Sequence, residues 1–384
     1  MKSLLYIVIV TIFFNCGKPF SVSGFMALKN GDIKVGNINA NAYQEIKSGE
    51  IISSDNDQQL AQVQLKHPEI KALIQASGIF SFQFNEKELG RNESFVIQLN
   101  RGNYELNFDK DKKDPGVYII TPVMNSKVLF DKLASGRFEI SVEENGTTDI
   151  KAIKGRMEVK RQFPISVNKI PEHIRNNSPE IQNIKNQWDK PIQIIDSSEG
   201  NFLRIEMADN LKYFDNAGLA DVLSLPQLQQ IKPGEGEKLD PSKKEEIQKA
   251  IQQIYMGNSK YKEYINTDLK KDIQFKIQTM DQKEFLRKIK EAEHLTFVDI
   301  SDVKDPKSLA DAVDKRNDSI KDNLFETLAN VKGKSVDVIR LPDGREIKGI
   351  ISFDREIDAN NYIVEDLDGK KTKYPKDLVK FKGR

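Results

Sequence analysis

Between residues 25 and 159 apolar side chains recur at every second position, in short runs. Val63 and Leu65, then Phe80, Phe82 and Phe84, then Phe95, Ile97 and Leu99, then Tyr104, Leu106 and Phe108 open the series. The block 117–120, then Phe138, Ile140 and Val142, Ile150 and Ile153, and Met157 and Val159 continue it. A period of two is that of a β-strand, so each run predicts a strand with one buried face. Turn residues separate the runs: Asn30-Gly31, Ser48-Gly49, Arg101-Gly102-Asn103, Asp114-Pro115-Gly116 and Asn145-Gly146. The last of these, between two alternating runs, predicts a type I′ hairpin. Many short strands at this spacing predict a sandwich or a roll over residues 25–162.

The texture changes over residues 163–332 to a mixed α/β pattern. Ser178-Pro179 supplies a cap and a first-turn proline for a helix burying Ile181, Ile184 and Trp188. Asp240-Pro241 opens another, with Ile247, Ala250, Ile251 and Ile254 on one face and Gly257 as its stop. Ile273, Phe275 and Ile277 alternate as a strand. Asp281 with Glu284 resembles a capping box for a helix carrying Phe285 and Ile289. Residues 296–300 read as a strand, and Asp305-Pro306 opens a helix with Leu309 and Val313 on its apolar face. The segment 234–243 reads as an exposed hinge. Residues 333–384 show five strand signals, at 336–341, 346–353, 362–365, 371–374 and 378–381. Pro342-Asp343-Gly344 and Asp368-Gly369 are tight turns between them. The expected fold class is therefore mainly β, with an α+β middle and a small C-terminal β-barrel.

The amino terminus has a different pattern. Residues 1–15 hold one charge, Lys2, and an apolar run over 4–14 that is too short for a membrane-crossing helix, which needs about 20 residues. This is the layout of a secretory signal. The single cysteine of the chain, Cys16, follows it directly.

Two resemblances arise from these residues. The segment 1–16 resembles a bacterial lipoprotein signal, with Phe13, Phe14 and Asn15 where the strict motif has Leu, a small residue and Gly or Ala. The resemblance implies cleavage before Cys16 and a diacylated thiol, followed by a tether over 16–24. It also implies that the membrane is a partner through that lipid. Gly17, by likeness to enteric sorting rules, points to the outer membrane. The second resemblance is to the FecR domain, whose motifs occur in order. They are Asn30-Gly31-Asp32-Ile33-Lys34-Val35-Gly36, Ile46-Lys47-Ser48-Gly49-Glu50-Ile51-Ile52, and Leu60-Ala61-Gln62-Val63-Gln64-Leu65. Ile119-Ile120-Thr121-Pro122, Gly136-Arg137-Phe138-Glu139-Ile140 and the run from Gly146-Thr147-Thr148 through Lys154-Gly155-Arg156-Met157-Glu158-Val159 complete the series. The C-terminal segment resembles a small SH3-like or Sm-like barrel.

Charge narrows the function classes. Lys2 is the only charge in residues 1–15, so 59 basic side chains fall to 58 in the mature chain, against 58 acidic ones. A balanced chain is not the profile of a nucleic-acid binder, which carries a basic excess. One local excess stands out, since residues 370–384 hold seven positive side chains and one negative. Lys370, Lys371, Lys373, Lys376, Lys380 and Lys382 could contact an anionic surface or line a solvated barrel face.

Candidate chemistry is sparse. Ser54-Asp55-Asn56 and the S-x-x-K strings at Ser166 and Ser301 stand in the wrong order for a β-lactamase. Gly333-Lys334-Ser335 lacks the earlier glycine of a P-loop and reads as a helix stop. Asp109, Asp111 and Asp114 fail the calcium-loop spacing at Lys113 and Ile120. His67, His173 and His294 lie in separate segments without ligand spacing. No catalytic residue, metal or cofactor is expected. The expectation is a lipid-anchored cell-envelope protein that binds an envelope protein or the cell wall without catalysis. The alternative is a signalling component related to FecR-type sigma-factor regulators. The sequence shows no cytoplasmic segment and no span for that role, so a direct anti-sigma action is not expected.

Overall fold

The computed structural model describes residues 22–67, 70–89, 92–110, 116–130, 135–144, 146–161, 191–197, 201–207, 240–242, 245–246, 273–279, 281–352 and 358–381. Cys16, His173, Lys382 and the helices expected after Ser178 and along residues 247–257 lie outside them. The protein is mainly β. Its first strands are β1 (Ser23–Asn30), β2 (Lys34–Val35), β3 (Ile38–Asn39), β4 (Glu45–Lys47), β5 (Ile52–Ser54) and β6 (Leu60–Lys66). Two long strands follow, β7 (Ile70–Leu89) and β8 (Asn92–Lys110). Then come β9 (Gly116–Ile120), β10 (Met124–Leu129), β11 (Ser135–Val142), β12 (Thr148–Lys154) and β13 (Arg156–Arg161). Strands β14 (Pro191–Asp196), β15 (Asn201–Met207) and β16 (Ile273–Thr279) complete the body.

The β7–β8 hairpin organises this body. Near its middle both strands change register, where Gly78 and Gly102 have φ of 75° and 120°. The sequence at Arg101-Gly102-Asn103 predicts a turn; the structure instead continues β8 through it as a bend. A Cβ on Gly102 would meet the Phe80 backbone, so the two strands can cross this closely only because glycine is there. On one side of the bend the hairpin joins the layer β4-β1-β6-β7-β8-β11-β12-β15-β16. On the other it joins β3-β2-β5-β7-β8-β9-β10-β13-β14. One apolar cluster, with Phe80, Phe82, Phe84, Phe95, Phe108 and Phe138 at its centre, draws on both layers.

Tyr104 pins the bend. It is buried, its ring meets Phe82 edge-on at 5.8 Å, and its hydroxyl donates to Ser81 O (2.8 Å) and to Arg101 O. Tyr104→Phe keeps the ring and strips both carbonyls of a donor. It should cost about 1–2 kcal/mol in urea unfolding; an unchanged midpoint would show that the bend holds without it.

Hydrogen bonding continues past residue 162. β14 pairs with β13 and β15 with β12, so strands of the middle region extend both layers. The Asn145-Gly146 hairpin forms, but its loop is one residue longer than a type I′ turn. Glu143 N–H donates to Thr147 O (2.8 Å) and Gly146 N–H to Glu143 O (2.9 Å), with Gly146 at φ 89°. A three-residue loop closing on a left-handed glycine satisfies the strand twist as well as a type I′ turn does.

Three helices follow: α1 (Gln282–Glu291), α2 (Pro306–Ser319) and α3 (Lys321–Val331). Asp281 starts α1 by accepting from Lys283 N–H (2.6 Å), while Glu284 turns away to Lys151 (3.4 Å). Phe285 is half-buried and Ile289 is exposed. At α2 the expected start is complete: Asp305 accepts from Ser308 N–H (2.8 Å), and Ser308 Oγ accepts from Asp305 N–H (3.1 Å), with Pro306 in the first turn. Leu309 and Val313 pack on Phe25 and Ala27 of β1. α3 ends at Gly333 (φ 61°), where Lys334 N–H returns to Ala329 O (2.8 Å).

The C-terminal strands are β17 (Val336–Arg340), β18 (Glu346–Ser352), β19 (Asn361–Glu365), β20 (Lys371–Pro375) and β21 (Lys380–Phe381). They lie in the order β20-β19-β18-β17-β21. Leu324, Phe325, Leu328 and Ala329 of α3 form one core with Leu28 and Leu60 of the body and Val336 and Ile350 of the C-terminal sheet. The three parts of the sequence therefore share buried surface. Lys332 and Glu365 form an ion pair beside it.

Candidate functional site

The face of β1, β6, β7 and β8 that turns away from the main core is polar, yet it is covered. Gln62, Gln64 and Gln75 are buried there. They hold residues 294–298, which overlap the strand that the sequence predicts over 296–300. That strand does not form: residues 295–300 join no ladder, and side-chain amides take the place of a neighbouring strand. Gln64 donates to Val298 O (2.9 Å) and accepts from Val298 N–H (2.7 Å), and Asn107 donates to Leu295 O (2.7 Å). A relay runs beneath. Buried Arg316 of α2 donates to Gln62 Oε1 (2.6 Å), Gln62 to Gln75 Oε1 (2.8 Å), and Gln75 to Glu105 Oε1 (2.9 Å). His294 Nε2 closes it at Glu105 Oε2 (3.2 Å). Burial draws the Arg316 guanidinium down to about 10, so it stays charged at neutral pH.

Beyond this seam the same face opens into a cleft of about 410 Å³ between the sheet and α1. Strand register builds its floor as two rows running across five strands. The first is Gln75, Glu105, Glu139, Lys151 and Phe202; the second is Ser77, Asn103, Ser141, Asp149 and Arg204. Neighbouring strands lie about 4.8 Å apart, so each row is about 19 Å long.

Glu105 and Glu139 stand directly opposite each other, which on its own is repulsive. The chain beyond residue 281 answers this: Lys288 pairs with Glu139 (3.1 Å), and His294 Nε2 lies 3.2 Å from Glu105 Oε2. Burial pushes the Glu105 carboxyl up, but His294, Lys288 and Gln75 together hold it below the usual carboxylate range. Asp149 accepts from Arg204 through Oδ2 (2.8 Å). Its other oxygen is buried and, among the described residues, accepts nothing. Burial raises the Asp149 carboxyl above its ordinary value, and Arg204 only partly offsets this. Lys151 reaches Glu284 and sits 5.8 Å from the Phe202 ring centre.

A second cleft of about 550 Å³ lies where α2 and α3 meet the C-terminal sheet, with Tyr43, Asp314, Asp366, Asp368 and Tyr374 on its walls. Burial, then Asp366 and Asp314, raises the Asp368 carboxyl. Among the described residues no His, Cys, Asp and Glu group is arranged to hold a metal ion.

The sequence-derived candidates are dispersed. Lys373 pairs with Asp358 (2.8 Å), and Lys376 Nζ donates to Ala359 O (3.0 Å) over the Tyr362 ring, so these two brace a corner of the C-terminal sheet. Lys370, Lys371 and Lys380 are exposed. His67 packs on Phe95. Sequence reasoning singles out none of the cleft residues. Their only local signal is a polar residue at every second position in β8, β11 and β12, which is also how a solvated face reads. No family model, curated protein or solved structure matches the chain.

Proposed function

We propose that this is a cell-envelope protein anchored at the outer membrane by lipid on Cys16, which works by binding an envelope or cell-wall partner rather than by catalysis. The observation that carries the anchor is the order of residues 1–16: one basic residue, a short apolar core, then the sole cysteine. Three buried acyl chains, at about 0.8 kcal/mol per methylene, would hold the protein at the membrane for good. A binding role is supported by the cleft beside α1, where Lys288, Lys151 and Arg204 are each paired with a carboxylate.

The body is read as FecR-like, supported by six motifs in sequence order with Gly49 and Gly155 at left-handed turns. The C-terminal sheet is read as an SH3-like barrel, supported by a four-strand meander whose fifth strand returns to the first.

Metabolic labelling with an alkyne palmitate tests the anchor. The full chain should carry the label at Cys16, and Cys16→Ser should lose it and leave the membrane fraction. A Cys16→Ser chain that is still labelled and still retained would sink the reading.

A further inference from the structure

The cleft beside α1 has walls of both charges, but its full charges are already matched. Lys288 is paired with Glu139, Lys151 with Glu284, and Asp149 with Arg204, while Glu105 accepts from Gln75 and lies within the field of Lys288. A ligand bearing a full charge would have to break one of these pairs and strand its partner, which is costly in a partly buried site. A neutral ligand need not.

The second floor row offers the hydroxyls of Ser77 and Ser141 and the amide of Asn103, beside the carboxylate of Asp149, which only accepts. Hydroxyl and amide groups exchange hydrogen bonds with ligand hydroxyls in either direction. Asp149 Oδ1 is the most telling of them, a buried acceptor with no donor among the described residues. A ligand hydroxyl that displaces the cover over this oxygen would supply the missing donor. Phe202, at the end of the first row, adds an apolar ring. The rows cross the strands for about 19 Å, so the floor is a track rather than a point site.

We infer that this cleft binds a neutral saccharide, laid across β7, β8, β11, β12 and β15 with hydroxyls toward Ser141 and Asp149 and an apolar ring face toward Phe202. This rests on reading the cleft as the protein's binding site. It is independent of the lipid on Cys16.

The test titrates the full chain, in mild detergent, with N,N′-diacetylchitobiose, cellobiose and maltose as neutral probes. Lysine and galacturonate serve as charged ones, and binding is read by saturation-transfer NMR and calorimetry. At least one neutral disaccharide should bind saturably. Phe202→Ala and Asp149→Asn should each weaken it tenfold or more, while Leu378→Ala, in the exposed turn between β20 and β21, should not change it. If Asp149→Asn melts early through its lost bond to Arg204, Ser141→Ala leaves that bond in place and carries the same expectation. Binding of lysine or galacturonate with none of the neutral probes would overturn the saccharide assignment while keeping the cleft as a site. No binding by any probe, or neutral binding indifferent to all three cleft variants, would overturn the cleft as well.

Discussion

Gly102→Ala should destabilise the protein by about 4 kcal/mol, because two penalties fall on one atom. The residue sits at φ 120°, where a side chain is strained by about 1–3 kcal/mol. Its new Cβ would also stand 2.5 Å from Phe80 Cβ, 2.9 Å from Phe80 Cα and 3.0 Å from Ile79 O. Two of those atoms are backbone, so no rotamer change relieves the clash, and overpacking of this kind costs a further 1–3 kcal/mol, roughly. Gly344→Ala is the control. That residue has φ 84° but open space around its Cβ position, so only the strain of about 1 kcal/mol should appear. Urea unfolding of the two variants decides the matter. Equal shifts would mean that the β7–β8 bend does not depend on close strand approach.

Arg316→Ala should cost about 3 kcal/mol. Among the described residues the buried guanidinium has no carboxylate partner, and its charge is spread over Gln62 Oε1 (2.6 Å), Ala27 O (3.2 Å) and Thr296 O (3.4 Å). Hydrogen bonds from a charged donor contribute about 1.5–3 kcal/mol each, and their loss leaves buried acceptors unsatisfied. The effect should also travel. Gln62 would lose the donor that orients it toward Gln75, and Gln75 positions Glu105 in the cleft. Amide exchange at Val298, whose N–H is held by Gln64 (2.7 Å), should accelerate in the variant. A stable Arg316→Ala protein with unchanged Val298 exchange would show that apolar packing of α2 and α3 suffices to hold residues 294–300.

Both variants lie at places where local reading and tertiary structure diverge. Gly102 reads as a turn because glycine flanked by polar residues usually breaks a strand. Only the approach of Phe80 from β7 shows that the glycine serves a bend between layers. Gln62 and Gln64 alternate with Ala61, Val63 and Leu65, so they read as the wet side of β6. They are dry because α2 and residues 294–298, more than 220 positions away, cover them. The cleft was illegible for the same reason. Glu105, Glu139, Asp149 and Phe202 become neighbours only through register, and Lys288 arrives from another part of the chain.

What the amino-acid sequence determined alone is what short-range physics encodes. It set the strands of the body through their period of two, the five C-terminal strands, the start of α2 at Asp305 and Pro306, and its stop-and-turn glycine at the end of α3. Alternation says which side chains share a face, and capping says where a helix begins; both act within a few residues. Only the tertiary structure decided what covers each face, since that depends on contacts between segments far apart in the chain. It buried a polar seam, set two glutamates against each other under a lysine and a histidine, and left one carboxylate oxygen of Asp149 with no donor among the described residues.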